Sequence, residues 1–191
     1  MLKTNLPVLI LEDTVLFPSC EIKLEIEDSI TKKILTLAES YFNGHLLVIY
    51  NDKKKIEIGD LPKIGVIAQI KLKLDMPNGE IKLTLKGISR GKVEKYHFED
   101  EMYDANVLDI ERDIPPVESL ANSRTLKKLF TEYIDSKKSL GNSIVAKIDE
   151  VNDAGELSDI IAGFMPLSLA RKNAYILEVD GINRAMMLMD D

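Results

Sequence analysis

The predominant spacing of apolar residues in this chain shifts close to Pro115-Pro116, and that shift constrains the fold more than any other feature. Before the prolines, apolar and polar residues mostly alternate, as in half-buried strands. After them, apolar residues recur every three or four positions, as in amphipathic helices. The acidic stretch Asp109-Ile110-Glu111-Arg112-Asp113 leads into the double proline, which does not easily continue regular structure. The expectation is an α+β chain, with a β-rich subdomain over residues 1–114 and an α-helical one over 117–191.

In the first part, Leu6 to Leu11 reads as a buried strand and Val15-Leu16-Phe17-Pro18 as an extended segment or turn. Ile22, Leu24 and Ile26 alternate with Lys23 and Glu25, the period of a half-buried strand. Ile30, Ile34, Leu37, Ala38 and Tyr41 then fall at helical spacing, with Asp28 or Ser29 as N-cap and Gly44 as the stop. Leu46 to Tyr50 reads as the next strand. The clearest local signal is a hairpin: Ile70, Leu72 and Leu74 face one way and Lys71 and Lys73 the other. The turn Met76-Pro77-Asn78-Gly79 follows, and Ile81, Leu83 and Leu85 then alternate with Lys82, Thr84 and Lys86. A further strand is expected around Tyr103 to Ile110. Strands of this kind with one helix suggest a small barrel or stacked sheets.

The second part carries a series of helical stripes. Leu126, Leu129, Phe130, Tyr133 and Ile134 form one; Ile144, Val145, Ile148 and Val151, capped by Asn142, form another. Leu157, Ile160, Ile161 and Phe164 form a third that stops before Pro166. Ser168 and Asp180 cap two more, carrying Leu169, Ala174, Ile176 and Leu177, then Ile182, Ala185, Met186 and Met189.

Composition narrows the function. The 191 residues carry a net charge of −7, against the dense basic face of a nucleic-acid binder. Lys53-Lys54-Lys55 and the alternating lysines at 71, 73, 82 and 86 read as a solvated loop and strand face. A single cysteine, Cys20, cannot form an internal disulfide, and the N-terminus has no secretory signal, so a cytoplasmic setting is expected. The apolar run Leu6–Leu11 is far shorter than the about 20 residues that cross a membrane.

No motif for chemistry holds up. Gly87-Ile88-Ser89-Arg90-Gly91 matches G-x-S-x-G, but a nucleophile elbow needs a helix after the serine, and Lys92 to Tyr96 alternates like another strand. His97, the sole downstream histidine, follows too closely for the usual acid-then-His order. Gly87 and Gly91 have three residues between them rather than four, and Val93 takes the hydroxyl position of a phosphate-binding loop. His45, His97 and Cys20 are too few for a typical zinc cluster, and Cys20 has no neighbouring histidine to activate it. No metal and no cofactor are expected. Met186, Met187 and Met189 on one short helix suit adaptable contacts, and equally plain core filling.

Several segments, in order, resemble one family. Leu6 to Leu11 followed by Val15-Leu16-Phe17-Pro18 resembles the opening of the N-terminal domain of Lon ATP-dependent proteases, where a strand leads to a hydrophobic-Phe-Pro-Gly turn. Ser19 replaces the glycine, which implies a less extreme turn. The stretch from Asp60 to Ile70 is similar to the family's Val-Gly-x-x-Ala strand, Pro77-Asn78-Gly79 to its hairpin turn, and Leu85 to Arg90 to its Gly-x-x-Arg bend. Leu157 to Ala162 with Met165-Pro166-Leu167-Ser168 resembles its helical Leu-x-Asp-x-Ile-Ala … Pro-Leu segment.

The resemblance implies a barrel-like (PUA-like) N-terminal subdomain with one helix, then a helical bundle. It implies a non-catalytic domain that recognises unfolded or damaged proteins and helps assemble a homo-hexamer, the ATPase and Ser-Lys peptidase modules lying elsewhere in the parent. A stand-alone adaptor or ligand-binding module of the same fold is the alternative. A capture surface needs accessible apolar groups, and open strand edges add main-chain pairing. Leu9 and Leu11 share one strand face, and Phe17, Pro18 and Met76 sit at turns where apolar side chains are hard to bury; these are the substrate-contact candidates.

Overall fold

The computed structural model describes residues 3–53, 56–110, 117–137 and 142–191. Pro115-Pro116, Lys54, Lys55 and the Asn142 side chain lie outside that description. The chain divides into two compact units, Met1–Glu111 and Arg112–Asp191.

The first unit is built from β1 (Lys3–Leu11), β2 (Glu21–Ile26), α1 (Ser29–Tyr41), β3 (His45–Tyr50), β4 (Ile64–Asp75), β5 (Ile81–Glu99) and β6 (Met102–Ile110). Its strands run in the order β2-β5-β4-β3-β1-β6, and β5 pairs with β6 as well. That extra pairing closes β5, β4, β3, β1 and β6 into a ring, with β2 attached to the first part of β5. The interior follows from period-two side chains of the ring strands: Leu6 and Val8, Leu47 and Ile49, Ile67, Val93 and Tyr96, Ala105 and Val107 form one buried cluster. Tyr96 donates its hydroxyl proton to the Pro62 carbonyl at 2.6 Å, so its one polar atom is satisfied, and burial pushes its pKa up.

β1 and β3 are parallel, which requires a crossover, and α1 supplies it. Asp28 is the N-cap, accepting from the Thr31 amide at 2.7 Å. The buried stripe of α1 is Ile34, Leu35 and Ala38, with Leu35 at its centre, while Tyr41 is 78% exposed and does not belong to it. The helix ends where Gly44, at φ 73°, returns its amide to the Ala38 carbonyl, a left-handed position that suits glycine.

The segment before β2 is tied to β5. The Ser19 amide donates to Gly87 O at 3.0 Å and the Gly87 amide to Cys20 O at 2.9 Å. A Cβ on Gly87 would lie 2.1 Å from Phe17 O, so only glycine permits this approach. Ser19 itself adopts φ 61°. The expected relaxation of this turn is therefore corrected: serine holds the left-handed backbone that glycine would take freely.

The second unit contains α2 (Val117–Lys137), α3 (Asn142–Glu150), α4 (Ala154–Phe164), α5 (Leu169–Leu177) and α6 (Gly181–Asp190). Capping defines the starts: Asp153 accepts from the Glu156 amide, Ser168 from Arg171, and Asp180 from Ile182 and Asn183. Leu157, Ile160 and Ile161 of α4 are almost fully buried. Phe130 of α2 meets Phe164 edge to face at 5.9 Å. Leu129 and Leu177, expected on buried stripes, are exposed instead, and Tyr175 fills the core position on α5.

Candidate functional site

A bulge in β4 creates the site. From Ala68 to Ile70 the register pairs Ile70 with Leu85; after Lys71 it pairs Leu72 with Thr84 and Leu74 with Lys82. Paired residues point to the same face of an antiparallel sheet, so the extra residue turns Leu72 and Leu74 to the face opposite Ile70. The expectation that all three share one face is corrected here. Ile81, Leu83 and Leu85 keep the inner face and are buried, whereas Leu72 and Leu74 are 49% and 47% exposed.

These two leucines help line a groove of about 940 Å³ in the first unit. Its other walls are Leu9–Asp13 at the end of β1, Lys23–Ile26 of β2, Lys82–Thr84 of β5, and Asp28 and Thr31 at the start of α1. Aliphatic side chains alternate with charged ones along it. Lys82 stands opposite Glu25 in the strand register, Nζ 4.0 Å from Oε1, an exposed pair worth little energetically.

The sequence candidates separate. Leu9 and Leu11 line the groove, although they are 3% and 7% exposed and mostly serve the core. Phe17 is 1% exposed and Pro18 is buried against Gly87, so the premise that these turn residues are hard to bury is corrected: the turn folds back onto β5. Met76 is half-buried at the hairpin tip, outside the groove. The sequence does not single out Leu72 and Leu74, because the alternation of 70, 72 and 74 carries no trace of the bulge.

Ser89 has no elbow geometry. β5 continues through Gly87–Gly91, and Ser89 pairs with Ile67 inside the sheet. Its buried Oγ has no hydrogen-bond partner among the described residues, and His97 lies beyond it on the same strand, its Nε2 3.2 Å from Asn106 Nδ2. Among the described residues no group of three or more His, Cys, Asp or Glu could hold a metal ion, and no helix is long and apolar enough to cross a membrane.

A closed ring of strands with an attached β2, a partly apolar groove and a separate helical unit define an α+β module with a candidate groove. Residues 5–189 match the family described as the ATP-dependent protease La (LON) substrate-binding domain, and the chain belongs to that family. It is 30% identical to the Lon protease of Buchnera aphidicola, covering 97% of this chain and 25% of the relative. It is 25% identical to Lon protease 1 of Bacillus subtilis, covering 99% of this chain and 25% of the relative. The chain thus spans about a quarter of the length of these curated relatives. In fold it is similar to the N-terminal domain of a Mycobacterium avium complex Lon protease, at 21% identity and a TM-score of 0.83, covering 98% of this chain and 97% of that one. A Lon N-terminal domain protein from Xanthomonas campestris is also similar, at 18% identity and a TM-score of 0.70, covering 98% of each chain.

Proposed function

We propose that the groove captures exposed apolar segments of unfolded or damaged proteins for an ATP-dependent Lon serine protease. The observation that carries this reading is the outward turn of Leu72 and Leu74 into a groove within a substrate-binding family. Apolar side chains on a groove wall remain unsatisfied in water and gain by being covered. Fully burying one leucine side chain is worth about 1.5–3 kcal/mol, so covering the exposed halves of two is worth about 2 kcal/mol. That is a weak, sequence-tolerant contact, which suits a site that must release what it holds.

In the same reading the strand ring is a PUA-like barrel, and the subdomains divide as 1–114 and 117–191. The parent is a cytoplasmic homo-hexamer whose ATPase and peptidase modules act on the captured chain, and this domain takes part in its assembly. The groove's mixture of leucines with acidic side chains fits a polypeptide better than a nucleic acid. The test is titration of fluorescent unfolded casein against the chain, with ATP hydrolysis measured in parallel. Weak saturable binding to unfolded but not native protein, with no hydrolysis, is expected. Indifference to unfolded chains overturns the reading.

A further inference from the structure

Two strand edges border the groove, and neither has a strand partner on that side among the described residues. β2 pairs with β5 alone, and its Lys23–Ile26 stretch lines the groove. β1 pairs with β6 over Lys3–Pro7 and with β3 over Val8–Leu11, so beyond Pro7 the edge facing away from β3 is unmatched. Leu9, Ile10 and Leu11 on that stretch line the same groove. Both β2 and β6 sit on the side of β5 opposite β4, β2 along Ile81–Lys86 and β6 along Arg90–Glu99. Along β1 the β6 pairing stops after Pro7, opposite Asp104, and along β5 it stops at Arg90, opposite Ile110, so the two open edges lie beyond opposite ends of β6 and share the groove lining.

Open edges present backbone N–H and C=O groups ready to pair with another extended chain. The charge lining the groove is unbalanced: Glu12, Asp13, Glu25 and Asp28 share it with Lys23 and Lys82. With Lys82 set against Glu25, three carboxylates remain against one ammonium.

We propose that the groove takes one extended segment of an unfolded chain as a strand added to the open edge of β2, and that it favours segments in which apolar residues alternate with Lys or Arg. This rests on the capture reading and gives it a substrate class. Backbone pairing holds the segment whatever its sequence, the leucines select apolar side chains, and the carboxylates select cationic ones. Exposed charge pairs are worth about 0.2–1 kcal/mol each, so a surplus of two carboxylates, attracting Lys and repelling Glu, gives a preference of about tenfold over the acidic counterpart.

Fluorescence anisotropy on the intact chain tests this with three soluble ten-residue peptides. All carry apolar residues at alternate positions; the residues between are Lys, or Glu, or Lys with every second backbone amide methylated. The Lys peptide should bind about tenfold tighter than the Glu peptide, and amide methylation should remove most of its binding. The double variant Glu12→Gln, Asp13→Asn should narrow the Lys-over-Glu preference. Equal affinity for the Lys and Glu peptides, or no loss on amide methylation, overturns the proposal. If casein is still bound in that case, capture stands and only the strand-addition account fails; if casein and all peptides are ignored, both fail.

Discussion

Lys73 Nζ lies 2.6 Å from Glu39 Oε2 of α1, on the face of β4 that the sequence assigns to leucines. The bulge at Lys71 exchanges the two sets: Lys73, opposite Leu83, turns inward and is only 18% exposed, while Leu72 and Leu74 turn out. A cationic side chain is placed on the inner face by this exchange, with the α1 carboxylate as its partner, and two apolar side chains become available at the groove.

The double variant Leu72→Ser, Leu74→Ser should therefore weaken binding while leaving the domain folded. About half of each leucine is already buried in the fold, so unfolding free energy should fall by about 2 kcal/mol. Affinity for unfolded protein should fall about tenfold or more, from about 2 kcal/mol of lost apolar contact. Urea denaturation and casein titration of the same sample measure both.

In the helical unit, Asp159 of α4 and Arg184 of α6 form an ion pair with both side chains buried, Oδ1 3.2 Å from Nε. The distance suits an ion pair without the alignment of a hydrogen bond, and Arg184 Nη1 also donates to the Glu178 and Val179 carbonyls. Asp159→Ala should cost about 3–5 kcal/mol by leaving a buried guanidinium uncompensated. The double variant Asp159→Leu, Arg184→Met should recover much of that loss. Chemical denaturation of the three proteins gives the comparison.

The left-handed Ser19 predicts an asymmetric response. Ser19→Val places a β-branched side chain at φ 61° and should cost about 1–3 kcal/mol. Ser19→Gly relieves the backbone and should stay within about 1 kcal/mol of the parent. A shift in thermal midpoint in opposite senses, or a loss for Val alone, fits this turn; equal losses for both would contradict it.

Acid should weaken both units. Burial raises the Asp191 pKa, but hydrogen bonds from Arg171 Nε and the Tyr175 hydroxyl outweigh it and hold the carboxyl below its ordinary value. Asp60 is lowered by its hydrogen bonds from Lys53 Nζ and the Glu57 amide. A depressed folded pKa means stability is present above the ordinary carboxylate pKa of about 4 and is lost as pH falls through the folded value. Asp191→Asn should flatten part of the acid limb of the helical unit, by less than about 1 kcal/mol given its solvent screening. Denaturation at neutral pH and near pH 3 checks the sign.

Strand and helix periods made the α+β division legible, because alternation in Ile81–Lys86 and the spacing of Leu157, Ile160 and Ile161 are local properties. The Phe17-Pro18 turn and the Gly87 bend were legible as separate motifs, but not that each exists to meet the other. Nothing local marks an extra residue in a ladder, so the outward leucines were hidden. The burial of Asp159 and Arg184 was hidden too, since a charge on a helix ordinarily reads as solvated until its partner on another helix is known.

Backbone amide hydrogen exchange of the intact chain, with and without excess unfolded casein, tests the central claim most directly. Slowed exchange at Leu9–Leu11 and Lys23–Ile26, with α2 to α6 unchanged, is the predicted result. Slowing confined to the helical unit, with those two edges unaffected, would contradict the account.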